Sequence, residues 1–298
     1  MNYRHAFHAG NHADVLKHVV LLALLDALRR KPAAFAVLDT HAGRGRYPLD
    51  SGEARRTAEA QAGVLRLMDA AFNGEAGQSG DSPAIARYRD ALRALNPDVE
   101  TDRALRAYPG SPLLAAHMLR GQDRLACCET QPVECAALAT LFARDARVAV
   151  HQRDGYAAIN ALLPLKVDSV AIARSLVLID PPYEAQEAEF DHAIAALKGG
   201  LAHSPQTVFA LWYPIKRRRT LHNFLRRAAV LPAKNIWLAE LLIRPDDSPL
   251  RMNGSGVLVC NPPWQVDAEI AAALPILRDA LGENGASFHL QWLRREAD

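Results

Sequence analysis

Short apolar runs that alternate with helical patterns constrain the possible fold of this chain more than any other feature. Seven runs are strand candidates, mostly separated by stretches with helical periodicity: residues 35–38, 125–128, 148–151, 176–179, 208–212, 236–243 and 257–260. Strands that alternate with helices form open, largely parallel sheets with helices on both faces. The sequence therefore predicts an α/β fold with a seven-stranded, mostly parallel sheet.

The composition excludes several classes of protein. Half of the 298 residues are hydrophobic and 23% are charged, which does not fit a disordered, collagen-like or disulfide-rich chain. The longest apolar run, residues 19–25, is much shorter than the roughly 20 residues that a bilayer span requires. A basic cluster at 29–31 stands where a signal peptide would be cleaved. We therefore expect a cytoplasmic protein with no membrane segment.

Positive charge is concentrated in two parts of the chain, although the formal net charge is only +2. Residues 192–239 contain eight lysines and arginines and no Asp or Glu, and residues 1–49 contain seven bases and three acids. Such segregation is typical of a protein with one positive face and a polyanionic partner.

Helical patterns divide the chain into a main part and an insertion. A helix is predicted from about residue 12 to residue 30, with Asn11 as its N-cap, and another begins at Pro112 with Ser111 as its cap. We expect a small helical insertion over residues 47–107, between the two parts of the main domain at 1–46 and 108–298. The insertion's predicted elements are two amphipathic helices and the loop between them, near 54–72, 84–95 and 73–82.

Three successive strand candidates end in residues that suit a nucleoside cofactor. Gly43 and Gly45 follow the first strand and permit a tight turn that approaches a ligand closely. Glu129 follows the second strand, where a carboxylate can accept hydrogen bonds from both ribose hydroxyls. Asp154 follows the third strand and is suited to an adenine amine. Each carboxylate alone could equally be an exposed turn residue, but the three together indicate a nucleoside.

The most specific motif is Asp-Pro-Pro-Tyr at 180–183, directly after the fourth strand candidate. An aromatic amine is a poor nucleophile because its lone pair is delocalised into the ring. The Asp180 carboxylate and the Pro181 carbonyl can each accept one N–H of such an amine and aim its lone pair. Tyr183 can stack on the base. We therefore expect Asp180, Pro181 and Tyr183 to be catalytic.

A second motif, Asn-Pro-Pro-Trp at 261–264, has similar chemistry and follows the seventh strand candidate. In a methyltransferase-type sheet the seventh strand runs antiparallel, so its end lies at the opposite rim from the cofactor. We interpret this motif as a structural turn.

The motifs resemble those of the RlmJ family, 23S ribosomal RNA adenine-N6 methyltransferases that use S-adenosylmethionine. The resemblance covers nearly the whole chain and is carried by Y-R-H at 3–5, F-H-A-G-N-H-A-D-V-L-K-H at 7–18, D-T-H-A-G at 39–43 and D-P-P-Y at 180–183. Further matches lie at 108–112, 211–214, 244–246, 254–256 and 261–264. The resemblance implies a class I (Rossmann-like) methyltransferase domain with a helical insertion.

The resemblance also implies roles for individual residues. The cofactor positions carried over are His18, His41, Ser111, Glu129, Asp154, Gly155 and Asp180, beside Gly43 in the glycine turn. The N-terminal tail is implied to close over the target adenosine, which gives Tyr3, His5 and Lys17 roles in binding the substrate or supporting the site.

Four histidines near the N-terminus could suggest a metal site, but no carboxylate or cysteine completes a ligand set for His5, His8, His12 and His18. We expect no metal.

Four basic residues that follow the fifth strand are predicted to hold RNA phosphates beside the target base. They are Lys216, Arg217, Arg218 and Arg219. We expect 23S ribosomal RNA as the partner and a monomeric protein.

The Asp-Pro-Pro-Tyr motif at 180–183, which we call the tetrad, also permits methylation of a DNA adenine or a protein glutamine. A third reading is an RNA-binding assembly factor that has kept the fold without turnover, although the intact tetrad, glycine turn and acidic strand ends argue against that loss.

Overall fold

The computed structural model describes residues 4–72, 82–97, 105–167, 169–183, 186–249 and 252–296. The strands are β1 (Phe35–Asp39), β2 (Arg46–Pro48), β3 (Ala107–Pro109), β4 (Arg124–Cys128), β5 (Val148–His151), β6 (Lys166–Val167), β7 (Val170–Ala171), β8 (Arg174–Ile179), β9 (Val208–Ile215), β10 (Ile236–Leu242), β11 (Gly254–Cys260) and β12 (Ser287–Arg294). The helices are α1 (His12–Arg29), α2 (Gly52–Thr57), α3 (Arg66–Phe72), α4 (Pro83–Ala94), α5 (Ser111–Met118), α6 (Pro132–Leu141), α7 (Gly155–Leu162), α8 (Gln186–His203), α9 (His222–Ala228) and α10 (Val266–Leu281).

The main sheet has the strand order β12-β10-β11-β9-β8-β1-β4-β5. Strands β5, β4, β1, β8 and β9 are parallel, and β11 runs antiparallel to its neighbours β9 and β10. The chain proceeds outward in opposite directions from β1 and β8, so these two strands flank the point where the order reverses. Ligands of open α/β sheets bind at the carboxyl ends of the strands at such a point.

The sheet has eight strands, whereas the sequence predicted seven. The missed strand is β12, which pairs antiparallel with β10 at the edge of the sheet. Its apolar residues Phe288, Leu290 and Trp292 alternate with polar ones, because an edge strand covered on one face alternates in this way. A search for continuous apolar runs therefore overlooks it.

Helices cover both faces of the sheet, as the alternating pattern predicted. Helices α1, α4, α5 and α10 contribute buried apolar residues to the cluster on one face, and α7, α8 and α9 contribute to the cluster on the other. Helix α1 is buried along most of its length because it packs between the sheet and helices α4, α5 and α10. This burial fixes the helix that carries Lys17.

The helix boundaries confirm one predicted cap and correct another. The Asn11 side chain accepts hydrogen bonds from the backbone N–H groups of Ala13 and Asp14, as expected of an N-cap. Helix α5 begins at Ser111 itself, with Gly110 in the cap position and no side-chain cap. The prediction of Ser111 as the cap was therefore wrong by one residue.

The helical insertion begins and ends at a two-stranded pair, since β2 pairs antiparallel with β3. The single helix predicted over 54–72 is wrong: α2 ends at Thr57, Ala58 takes a left-handed conformation, and a π-helical turn at Gln61–Leu65 precedes α3. The second predicted helix corresponds to α4. Most of the predicted loop, residues 73–81, lies outside the described residues. The division into two domains stays a prediction.

Candidate active site

Asp180 lies directly after β8 and is held by Lys17 of α1. The Lys17 Nζ atom donates to Asp180 Oδ2 at 2.5 Å and to Asp14 Oδ1 at 2.8 Å. The side chains of Lys17 and Asp14 are 5% and 3% exposed, whereas that of Asp180 is 17% exposed. Within the described part of the chain, no residue donates a hydrogen bond to Asp180 Oδ1. That oxygen is therefore available to a ligand.

Asp14 joins the N-terminal segment to the Lys17–Asp180 pair. Its Oδ2 atom accepts from the Gly10 N–H at 2.9 Å and lies 3.1 Å from His5 Nε2. Burial alone would raise the pKa of Asp14, but His5 and Lys17 outweigh burial and hold this pKa well below its usual value. Burial likewise opposes the charge of Lys17, yet Asp14 and Asp180 raise its pKa. Lys17 is therefore a permanently charged bridge between two carboxylates.

His18 lies behind this bridge and belongs to a buried chain of aromatic hydroxyls. His18 Nδ1 is 2.6 Å from the Tyr108 hydroxyl, which is 3.0 Å from the Tyr88 hydroxyl. Burial, followed by the charge of Lys17, lowers the pKa of His18 well below its usual value, so the imidazole is neutral. His18 Nε2 is buried and has no partner among the described residues.

The turn after β1 has the conformation that its glycines predicted. Gly43 and Gly45 have φ values of +60° and +79°, a region that glycine adopts without steric cost. The Gly43 N–H donates to Glu129 Oε2 at 2.9 Å, and Glu129 Oε1 accepts from the Gln131 N–H at 2.7 Å. Arg44, between the glycines, forms a bidentate pair with Glu134, which fixes the turn against α6.

Asp39, the last residue of β1, is a buried carboxyl beneath this turn. Its Oδ1 atom accepts a hydrogen bond from the His41 N–H at 3.4 Å. Its Oδ2 atom is buried and has no hydrogen-bond partner among the described residues. Burial raises the pKa of Asp39 from 3.8 to about 6.

Asp154, Gly155 and His41 meet where α7 approaches the end of β1. Asp154 is exposed and caps α7 by accepting the Ala157 N–H through Oδ1 at 2.7 Å. Gly155 lies so close to Thr40 that a Cβ would overlap the Thr40 carbonyl oxygen. The His41 ring contacts the Tyr156 ring edge-on with 5.1 Å between centroids, and burial lowers the pKa of His41 to about 4.

The tyrosine of the tetrad is packed against the protein. Tyr183 contacts the rings of Phe190 and Trp212 with centroid distances of 5.2 and 5.7 Å, and its hydroxyl donates to the Trp212 carbonyl at 2.9 Å. Pro181 is buried. These contacts fix the backbone after Asp180 and hold the Tyr183 ring at the end of β9.

Residues 216–219, which we call the basic segment, follow β9 at the same rim as Asp180, because β8 and β9 are parallel. Lys216, Arg217 and Arg219 are exposed. Arg218 differs, since its Nε atom donates to the buried Glu240 at 2.6 Å. The structure therefore brings three of the four predicted phosphate-binding residues to the surface at the rim that carries the tetrad.

The Asn-Pro-Pro-Trp motif lies at the opposite rim, as the antiparallel direction of β11 predicted. Asn261 Nδ2 donates to the carbonyls of Pro205 and Thr207, which precede β9. Asn261 has a positive φ of 52°. The motif is a structural turn.

The four N-terminal histidines do not converge on one point. His5 faces Asp14, His8 faces Glu59 at 2.8 Å, and His18 contacts Tyr108. In the described ranges no three His, Cys, Asp or Glu side chains are grouped as a metal site would require. The same residues contain no helix that is both long and apolar enough to cross a membrane. Tyr3 lies outside the described residues.

The comparisons with known proteins identify the family. A family model described as "Ribosomal RNA large subunit methyltransferase D, RlmJ" matches residues 32–294. A protein named Ribosomal RNA large subunit methyltransferase J from Haemophilus influenzae is 37% identical over 99% of this chain and 100% of its own length. The protein of the same name from Escherichia coli is 36% identical over 94% of each chain. This chain belongs to the RlmJ family.

A solved structure supports the assignment at the level of the whole fold. The crystal structure of a Legionella pneumophila protein is 30% identical, covers 95% of this chain and 98% of its own, and superimposes with a TM-score of 0.81. As a member of the RlmJ family the protein is a methyltransferase, and S-adenosylmethionine is its methyl donor.

The residues at the strand ends fit S-adenosylmethionine. The buried and unpartnered Asp39 Oδ2 atom suits an ammonium group, because a buried carboxylate oxygen needs a donor. Glu129 and Asp154 each retain acceptor capacity for ribose hydroxyls and an adenine amine, since each oxygen has two lone pairs. The left-handed turn at Gly43 lets the backbone approach such a ligand closely.

Sequence reasoning missed two parts of this RlmJ site. Asp14 was not predicted as a site residue, whereas it is shared by His5, Lys17 and the Gly10 N–H. Glu59 was not singled out, although it contacts His8 and Asn11 across the start of the insertion. The close spacing of His5, Asp14 and Lys17 was the available signal, but the fold of the segment before α1 had to be known to use it.

Proposed function

We propose that this RlmJ-family enzyme methylates the N6 amine of one adenine in 23S ribosomal RNA. The observation that carries the proposal is the open Oδ1 atom of Asp180, at the reversal point of the sheet, on a carboxylate held by Lys17. An adenine N6 amine offers two N–H donors, which match Asp180 Oδ1 and the Pro181 carbonyl.

The chain's residues act by positioning and by taking up a proton. S-adenosylmethionine supplies a methyl group bound to a positively charged sulfur. Asp180 and Pro181 orient the N6 lone pair towards that group, and most of the acceleration comes from this alignment. Asp180 accepts the proton that N6 releases when the new C–N bond forms. Lys17 keeps its partner Asp14 during this change, so its charge stays compensated.

The target base must leave its stack, as bases do for other enzymes that modify them. We assign the N-terminal segment to the flipped base, because His5 contacts Asp14 and Asp14 is joined through Lys17 to Asp180. Tyr183 forms the wall on the tetrad side. His18 and His41 are neutral groups behind the two ligand sites and support them.

The basic segment is assigned to the phosphates that flank the target base. Lys216, Arg217 and Arg219 are exposed, and cations at such positions raise affinity for RNA without reading its sequence. Charge reversal of Arg217 and Arg219 is expected to weaken RNA binding and leave the affinity for S-adenosylmethionine unchanged. Unchanged RNA affinity would contradict this assignment.

Transfer of a labelled methyl group tests the proposal. The enzyme is incubated with labelled S-adenosylmethionine and one of three substrates, 23S RNA, duplex DNA or ribosomal protein. The nucleic acids are then digested to nucleosides and the protein to amino acids. We expect label only in RNA, as N6-methyladenosine, and a loss of about 10²–10³-fold in rate for Asp180→Asn, typical of a missing transition-state contact. Label in DNA or in protein glutamine, or no transfer at all, would refute it.

A further inference from the structure

Apart from the contact of Trp212 with Tyr183, three sequence motifs have no role in the site described so far, yet they meet at the rim that carries the basic segment. They are L-W-Y-P at 211–214, R-P-D at 244–246 and G-S-G at 254–256. The first is at the end of β9, the second follows β10, and the third starts β11. Because β11 lies between β9 and β10, the three motifs share one corner of the sheet.

At this corner Glu240 is a carboxylate with no exposed surface. Its Oε1 atom accepts from the Tyr213 hydroxyl at 2.9 Å, and its Oε2 atom accepts from Arg218 Nε at 2.6 Å. The Tyr213 ring reaches Glu240 across β11, where a Cβ on Gly256 would overlap it. Glycine at 256 therefore makes the contact possible.

The backbone of the basic segment is held at two points by residues that lie between β10 and β11. The Arg218 N–H donates to Asp246 Oδ1 at 2.5 Å. The Lys216 carbonyl accepts from Asn253 Nδ2 at 2.7 Å. With the Arg218 guanidinium drawn inward to Glu240, the side chains of Lys216, Arg217 and Arg219 are left exposed.

The same corner is joined to the tetrad. The Tyr183 hydroxyl donates to the carbonyl of Trp212, the residue before Tyr213. A fixed link therefore runs from the tetrad through the end of β9 to Glu240 and the basic segment. Displacement at Glu240 would move the segment's charges relative to Asp180.

We propose that Glu240 is a positioning residue for RNA binding. Through Arg218 it fixes the position and orientation of the basic segment, so that the segment can hold phosphates beside the target base. The inference rests on the proposed function, because it requires that the basic segment binds RNA. A buried carboxylate with two donors, one of them an arginine, is costly to disturb, so the segment has one preferred arrangement. Arg218 serves as the anchor and its three neighbours as the contacts.

Glu240→Gln tests the inference in two backgrounds, the unsubstituted enzyme and a variant with Lys216, Arg217 and Arg219 all changed to Gln. In the first, we expect the KM for RNA to rise about tenfold, as for the loss of one or two phosphate contacts, with kcat and S-adenosylmethionine affinity unchanged. In the second, Glu240→Gln should have no further effect on KM, since the contacts that it positions are already gone.

Asp123→Asn is the matched control. Asp123 is also a fully buried carboxylate, and it accepts from Arg120 Nε at 2.8 Å and from the Phe35 N–H at 3.0 Å. It precedes β4, at the rim opposite Asp180. We expect Asp123→Asn to lower stability and leave the KM for RNA unchanged. Should Glu240→Gln be too unstable to purify, Glu240→Gln with Arg218→Gln removes the whole ion pair and gives the same comparison.

The outcomes separate the inference from the function on which it rests. If the KM for RNA stays constant in Glu240→Gln while the triple variant binds RNA weakly, the role of Glu240 is overturned and the RNA contact by the basic segment stands. An equal rise in both backgrounds, or an equal rise in Asp123→Asn, overturns it too, because the effect would then be general. If the triple variant binds RNA normally, both the proposed RNA contact and the inference fail.

Discussion

Lys17 is the residue on which the arrangement of the site depends most. It is buried and donates to Asp14 and Asp180, two carboxylates from distant parts of the chain. A lysine placed in this way fixes the carboxylate that we propose binds the amine, and it balances the charge of that carboxylate. Its two partners also explain why the N-terminal segment, through His5 and Asp14, is coupled to the tetrad.

Replacing Lys17 should abolish most of the activity. We expect Lys17→Met to lower kcat at least about 100-fold, as the loss of a group that positions the reacting atoms does. Because Lys17→Met also removes the partner of the buried Asp14 Oδ1 atom, the double variant Asp14→Asn/Lys17→Met is measured beside it, with the exposed Lys31→Met as control. Single-turnover methylation checks the prediction, and a double variant with normal kcat would contradict it.

Asp39 should make the stability of the cofactor-free protein depend on pH. Burial raises its pKa to about 6, because the folded protein favours the protonated, neutral form. The contribution of Asp39 to the free energy of unfolding is therefore complete below about pH 4 and is lost as the pH rises through about 6. Asp39→Asn should therefore stabilise the protein at pH 7.5, by at most about 3 kcal/mol, and weaken binding of S-adenosylmethionine.

Urea denaturation between pH 4 and pH 7.5 checks this sign. Asp123→Asn provides a control of opposite sign: burial would raise the pKa of Asp123, but Arg120 outweighs it and the pKa is lowered. That variant should be destabilised at neutral pH, with the loss shrinking in acid. An Asp39→Asn protein less stable than the unsubstituted one at pH 7.5 would contradict the prediction.

The sequence identified the acids at the strand ends but not their partners. Asp180, Glu129 and Asp154 were recognisable because each follows an apolar run. The pairing of Asp180 with Lys17 spans 163 positions, and no local pattern encodes it; only the family resemblance gave Lys17 a role. Tyr183 was predicted to stack on a base, and its packing on Trp212 depends on a neighbouring strand.

At the scale of elements, α7 approaches β1 closely at the ends of the strands where we propose that the cofactor binds. Helix α7 begins at Gly155, and a Cβ there would overlap the backbone of Thr40. The seven predicted strands were found because each contains a continuous apolar run. Edge strand β12 was missed because its apolar residues alternate, and the break after α2 was missed because apolar spacing does not register a left-handed residue such as Ala58.

Gly155→Ala should therefore push α7 away from β1. We expect S-adenosylmethionine to bind about tenfold more weakly, equivalent to about 1.4 kcal/mol, and the melting temperature to fall. Gly52→Ala is the matched control, because Gly52 is also the first residue of a helix and a Cβ there meets nothing within 4 Å. That change should stabilise the protein slightly, since alanine favours a helix. Calorimetric titration with S-adenosylmethionine distinguishes the Gly155→Ala and Gly52→Ala variants. Equal affinities of the two variants for the cofactor would argue against a tight contact between Gly155 and Thr40.

At the scale of the whole molecule, the rim that carries Asp180 also carries exposed positive charge that the net charge of +2 conceals. The acid-free stretch from 192 to 239 was visible in the sequence, but its placement required the sheet order. Parallel β8 and β9 bring the basic segment to the tetrad's rim, whereas Lys31, Arg144 and Lys166 precede parallel strands and lie towards the other rim. Position, not total charge, should therefore determine RNA binding.

Salt dependence measures this difference in position. Each phosphate contact steepens the fall of log K with log salt by about 0.7–0.9, so changing Lys216, Arg217 and Arg219 to Gln should reduce the slope by about 2–3. Changing Lys31, Arg144 and Lys166 to Gln removes the same charge from the opposite rim and should leave the slope nearly unchanged. Cofactor affinity should be unaffected in both variants, because neither set of residues lies at the strand ends that face the cofactor. Titration of labelled RNA at several salt concentrations checks both slopes, and equal losses in the two variants would show that net charge alone governs binding.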